Sequence, residues 1–196
     1  MEKGFARTTP ASSFAMQEYY EYQLVVHPAA DVYAKLMQEK QYFFETYKEK
    51  VAIKTVPHIT VANFLAKEVM EDTIIRYMHR ILSMQKSFTV TLNNFSGFPP
   101  HTVYARVQDH QPFKHLAAAL FPVDHYVKGN GCPPAKFIMH PHVSIARRLK
   151  ADVYDKAMFE FSQRLFHASF TATEFVLLKR QNLFDKCRQV NVFKLL

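Results

Sequence analysis

Pro57-His58-Ile59-Thr60-Val61-Ala62 and Pro141-His142-Val143-Ser144-Ile145-Ala146 are two copies of one phrase: proline, histidine, a β-branched residue, a hydroxyl residue, a β-branched residue, alanine. The β-branched positions favour strands. In a strand, side chains two residues apart share a face. Each copy therefore sets an imidazole beside a hydroxyl on one face and turns its aliphatic neighbours to the other. Two such strands brought together would present two proton-transfer groups and two hydroxyl donors, which suits chemistry at a phosphate.

The sequence around the copies repeats as well. The first phrase lies in a strand expected over 54–65. A helix over 68–85 follows, with Met70, Ile74, Tyr77, Met78 and Ile81 on its buried face, then strands over 88–95 and 102–108. The second phrase lies in a strand expected over 136–149. Its helix starts at Asp152 as N-cap, with Val153, Ala157, Phe161 and Leu165 at helical spacing, and strands over 171–179 and 189–195 follow. Each helix opens about ten residues after its histidine, the offset expected of a divergent internal duplication. Ahead of the repeat stand a strand over 21–27, ended by Pro28, and an amphipathic helix over 30–47. Between the halves, 111–127 has helical spacing broken at Pro122, and 128–134 is a loop. Residues 1–17 read as a mobile tail and 18–196 as a single domain.

Composition bounds the function. The 196 residues are 48% hydrophobic and 21% charged, a globular balance. No apolar run approaches the ~20 residues of a membrane span. With no long apolar N-terminal segment, the expectation is a soluble, cytoplasmic monomer. Cys132 and Cys187 form neither a redox pair nor a zinc spacing. The net charge of +8 favours a polyanionic partner such as RNA or a nucleotide. Four glycines, none in a phosphate-cradling loop, leave phosphate recognition to side chains.

A bare His-x-Ser is cheap: His167-Ala168-Ser169 is a third instance, at the end of an expected helix, where positions two apart do not share a face. The repeated six-residue context carries the signal. That context resembles the signature of the 2H phosphoesterase superfamily, and more narrowly its 2′-5′ RNA ligase and cyclic phosphodiesterase branch. Pro141 to Arg147 is similar to the second motif of that branch, trailing arginine included. The likeness runs from about Glu21 to Leu195. It departs at Ser144, a serine rather than threonine. It departs again at Leu178-Lys179-Arg180-Gln181, where many relatives carry a serine-containing turn.

The resemblance implies an α+β fold of two pseudo-symmetric lobes, each with a mostly antiparallel sheet flanked by helices, and a cleft between them lined by the four motif residues. It implies hydrolysis of a 2′,3′-cyclic phosphate end of RNA or a nucleotide to a 2′-phosphate, with 2′-5′ ligation as a related activity. His58 and His142 are the expected acid–base pair. Thr60 and Ser144 are the expected donors to the phosphate oxygens. The sequence leaves the two histidines interchangeable as acid and base. No cofactor and no metal is expected. Arg147 is a candidate for phosphate contact, although position +5 from His142 falls on the wrong face of a regular strand. Tyr104 and Arg106 share a strand face and are candidates for stacking and phosphate contact. His140 is a further candidate for substrate contact or for orienting His142. A basic rim is expected from Lys48, Lys50, Lys54, Lys128, Lys136, Arg147 and Arg148. The alternative reading is a non-catalytic basic module that binds RNA or nucleotide in the same cleft.

Overall fold

The computed structural model describes residues 19–181 and 185–196; the tail expected over 1–17 lies outside them. The described strands are β1 (Tyr19–Val26), β2 (Ile59–Lys67), β3 (Phe88–Phe98), β4 (Thr102–Val107), β5 (Lys136–Phe137), β6 (His142–Ala146), β7 (His167–Ala172), β8 (Glu174–Arg180) and β9 (Arg188–Lys194). The described helices are α1 (Ala30–Tyr47), α2 (Val51–Lys54), α3 (Glu71–Leu82), α4 (Gln111–Ala119), α5 (Phe121–Gly129) and α6 (Ala151–Phe161). The fold is α+β, with helices flanking a large antiparallel sheet.

The strands follow the order β7-β3-β4-β6-β2-β1-β8-β9, with β5 pairing on β2. The two phrases therefore sit on the adjacent central strands β6 and β2, each the innermost of a set of four. Among the described residues, the pairing of β2 with β6 is one bridge, between Ile59 and Val143, the residues that follow the two histidines. Both are wholly buried. The sheet must also fold back on itself. Only Thr173 separates β7 from β8, and two Cα steps span at most ~7.6 Å. Yet β7 opens the strand order and β8 lies next to its far end. Backbone bonds from Ser87 to Leu196 (2.7 Å), Leu196 to Gln85 (2.8 Å) and Leu195 to Thr173 (2.8 Å) tie the two ends together.

Helix α1 spans the expected residues and buries Val32, Leu36, Lys40 and Phe43. Phe43 and Phe161 of α6 pack at 5.5 Å between ring centroids, and Phe161 meets Phe95 of β3 at 4.9 Å. These contacts make the core under the β3 side of the sheet.

Several expected elements are corrected. Residues 136–149 are not one strand: β5 and β6 are separated at 138–141, the approach to the second phrase. The strand expected from Lys54 begins at Ile59, after the short helix α2. Pro122 does not merely end a helix. It lies in the first turn of α5, where a missing N–H is harmless. Asp152 is in the first turn of α6, whose N-cap is Lys150, and Leu165 lies beyond the helix at 88% exposure. The strand expected over 171–179 is two strands broken at Thr173. His167-Ala168-Ser169 lies in β7, not at a helix end, and its His and Ser do share a face. That face is solvent-exposed, and Ser169 Oγ lies 3.1 Å from Thr91 Oγ1.

Candidate active site

The bridge between Ile59 and Val143 fixes the site. Continued one residue each way, the antiparallel register sets His58 across from Ser144 and Thr60 across from His142. Directly opposed side chains stand ~5 Å apart and diagonal ones ~7–8 Å. The two imidazoles are on a diagonal, with a hydroxyl beside each and space for an anion between them. The four side chains meet in a cleft of about 210 Å³, also lined by Gln23, Thr55, Val56, Asn63, Lys136, Ile138 and Arg147. Among the described residues the lining contains no carboxylate.

Each histidine is held in the same way. His58 donates from Nδ1 to the carbonyl of Val56 (2.9 Å), and His142 from Nδ1 to the carbonyl of His140 (2.8 Å). A carbonyl only accepts, so Nδ1 carries the proton and Nε2 is left for the cleft. Pro57 and Pro141 are buried and fix the backbone just before each imidazole. Burial pushes the His58 pKa down to about 4, with the neighbouring charges of His27, Arg147 and Lys40 acting the same way. Burial also lowers the His142 pKa, assisted by His140.

Arg147 does reach the cleft, and the reason is visible in the pairing. In the β4–β6 ladder, Tyr104 pairs with Ser144 and Val103 with Ala146, so Ile145 is an extra residue on β6. A bulge of this kind reverses the alternation beyond it. The fifth residue after His142 is thereby returned to the histidine's side. The same device occurs on β2: Val25 pairs with Thr60 and Leu24 with Ala62, leaving Val61 as the extra residue. Asn63, the fifth residue after His58, likewise lines the cleft. Both bulges fall on the third residue after the histidine.

Tyr104 stacks on Phe98 at 4.4 Å, and both rings lie against His142, at 4.9 and 5.0 Å. Phe98 is 38% exposed, so the pair offers an aromatic surface beside the imidazole. Arg106 pairs with His142 across the strands, but its Nε donates to the Asn93 carbonyl and it is not in the cleft lining. His140 precedes β6 and is exposed. Its carbonyl holds His142, while its ring packs against His110 at 5.7 Å. Of the expected basic rim, Lys136 and Arg147 line the cleft, whereas Lys128 pairs with Asp124. In the departing segment, Lys179 is buried between Glu68 and Glu71 (2.7 Å each) and Arg180 pairs with Glu21.

The sequence reading missed Asn63, Gln23 and Lys40. Asn63 had a signal, since it stands at the same offset from His58 as Arg147 from His142. Asn63 and Gln23 both donate to Glu21 Oε1. Lys40 also had one: it interrupts the apolar stripe of α1. Its side chain is wholly buried. Burial, and then the Arg147 guanidinium, brings its ammonium down to about 8.

Residues 29–183 match the model of a family described as the 2′-5′ RNA ligase superfamily. Among solved structures, E. coli LigT in complex with 3′-AMP superposes with a TM-score of 0.65 at 17% identity, over 91% of this chain and 99% of that one. TT0787 of Thermus thermophilus gives 0.67 at 18% identity, over 89% of this chain and 97% of that one. E. coli LigT in complex with phosphate gives 0.57 at 16% identity, over 91% and 98%. No curated protein matches significantly. At these identities the structural likeness establishes the fold. No described helix is long and apolar enough to cross a membrane.

Proposed function

The chain belongs to the 2′-5′ RNA ligase superfamily, within the 2H phosphoesterases, and from that premise we propose that it hydrolyses the 2′,3′-cyclic phosphate end of RNA or a nucleotide to a 2′-phosphate. The observation that carries the reading is the Ile59–Val143 bridge, which brings His58, Thr60, His142 and Ser144 to one cleft that holds no carboxylate among the described residues. Water attacks phosphorus as one histidine takes its proton. The bond from phosphorus to O3′ breaks, and the other histidine delivers a proton to that oxygen. One proton is taken up and one released, so the pair ends in the exchanged protonation state. Each such transfer is worth ~10²–10⁴-fold. Thr60 and Ser144 donate to the non-bridging oxygens, where charge accumulates.

Burial lowers both imidazoles in the empty cleft, His58 to about 4, and a bound phosphate favours the charged form of each. In the complex one neutral ring takes the water proton and one charged ring supplies the proton to O3′. Arg147 and Lys136 add positive charge. Asn63 Oδ1, buried without a hydrogen-bond partner among the described residues, is an acceptor available to a ribose hydroxyl, and the Phe98–Tyr104 pair a surface for a base. Run backwards with an RNA hydroxyl as nucleophile, the same steps join 2′-5′ ends. Residues 18–196 act in this reading as one bilobal domain with pseudo-symmetric halves, supported by the four-plus-four strand order and the matched bulges.

His58→Ala and His142→Ala are expected to abolish turnover of a nucleoside 2′,3′-cyclic phosphate while circular dichroism stays native. Full activity in either folded variant would reject the mechanism. Unchanged RNA affinity in both, together with an inactive parent chain, would favour the non-catalytic binding module instead.

A further inference from the structure

Lys40 occupies a position on α1 where the helical period calls for an apolar side chain, between Leu36 and Phe43. It is wholly inaccessible. An ammonium has three donors, and all three are used: Nζ lies 3.0 Å from the Ser144 carbonyl, 3.0 Å from the Ile145 carbonyl and 3.2 Å from Thr55 Oγ1. No carboxylate among the described residues stands within ion-pairing distance of it. A lysine buried only to be solvated by two carbonyls and a hydroxyl is an expensive way to fill a core, since an unpaired buried charge is disfavoured.

The two carbonyls identify what it does. They belong to Ser144 and to the extra residue of the bulge, Ile145. A bulge interrupts the ladder and leaves backbone groups needing partners. The same bulge turns Arg147 into the cleft, and Thr55, the third partner, is itself part of the cleft lining. Lys40 thus grips the segment that carries one phosphate donor, Ser144, and sets the direction of the arginine two residues later.

We propose that Lys40 is a positioning residue of the phosphate site: it clamps the Ile145 bulge so that Ser144 and Arg147 face the substrate, and its unpaired charge is complemented by the bound phosphate. This rests on the phosphoesterase reading. Removing Lys40 frees the bulge, so the loss of Lys40 includes the loss of Arg147.

The test is a double-mutant cycle. With a nucleoside 2′,3′-cyclic phosphate as substrate, K40M is expected to lower kcat/KM about a hundred-fold, the scale of one lost donor to a developing oxyanion. R147M is expected to give a comparable loss. The K40M/R147M double variant should fall no more than about three-fold below the weaker single variant, because the two act as a unit. K40R, which keeps charge and donors, should stay within about ten-fold of the parent. Losses that multiply in full in the double variant, or a folded K40M with parental kinetics, overturn the inference. If K40M does not fold, K40Q takes its place; if neither folds, the role is structural only and the inference fails. Inorganic phosphate affinity by calorimetry separates the two readings. A parent chain without turnover refutes the phosphoesterase, while weaker phosphate binding by K40M or K40Q than by K40R still supports the clamp, and equal binding removes it.

Discussion

Acidification should destabilise the empty protein through His58, and the size of the effect follows from its surroundings. Burial holds its pKa at about 4, against an ordinary value of 6.5. A group with a depressed native pKa binds fewer protons folded than unfolded, so its stabilising contribution is present above the unfolded pKa and is lost as pH falls toward the native one. Between about pH 7.5 and about pH 5, that difference amounts to ~2 kcal/mol at ~1.4 kcal/mol per pKa unit. Solvent at the mouth of the cleft reduces it to ~1–2 kcal/mol, which for a chain of this size is a fall in Tm of roughly 2–8 °C. The assay is urea unfolding at both pH values for the parent and for His58→Asn, which cannot titrate. The parent should lose ~1–2 kcal/mol more than the variant. Saturating inorganic phosphate should shrink that difference, since an anion beside the ring raises its pKa. Parallel pH dependence in parent and variant, with and without phosphate, would refute the argument that burial in this cleft keeps His58 neutral.

Other substitutions probe the walls of the site and its support. Phe98→Ala removes the exposed half of the aromatic pair and should raise KM for a base-bearing cyclic nucleotide ~10-fold; affinity for inorganic phosphate, measured by calorimetry, should hold. Gly97→Ala places a methyl 2.8 Å from Met158 Sδ and against the Tyr154 ring, so unfolding should show a loss of ~1–3 kcal/mol from overpacking between β3 and α6. The pH–rate profile should be bell-shaped, and a flat profile from about pH 5 to about pH 8 counts against two titrating histidines.

The paired phrases alone were enough to read two strands, the four side chains that meet in the cleft and the family they resemble. Local periodicity carries that information, because side chains two apart on a strand share a face whatever the rest of the chain does. The same rule misdirects beyond a bulge. Arg147 stood on the wrong face by parity, and only the unequal pairing of β4 with β6 returns it to the cleft. His167-Ala168-Ser169 shows the converse: it has the residues and the strand, yet its place on β7 turns the pair to solvent.

What tertiary structure alone decided is which distant segments meet. Helical spacing marked Lys40 as an oddity on an apolar stripe. Nothing within α1 could indicate that its ammonium would reach the backbone at residues 144 and 145. Nor could either phrase indicate that one aliphatic bridge would set each histidine opposite the other's hydroxyl. The sequence determined the side chains and their alternation, which are properties of neighbours along the chain. Register, bulges and burial arise from contacts between strands and helices far apart in it, and those contacts make two ordinary histidines into one site.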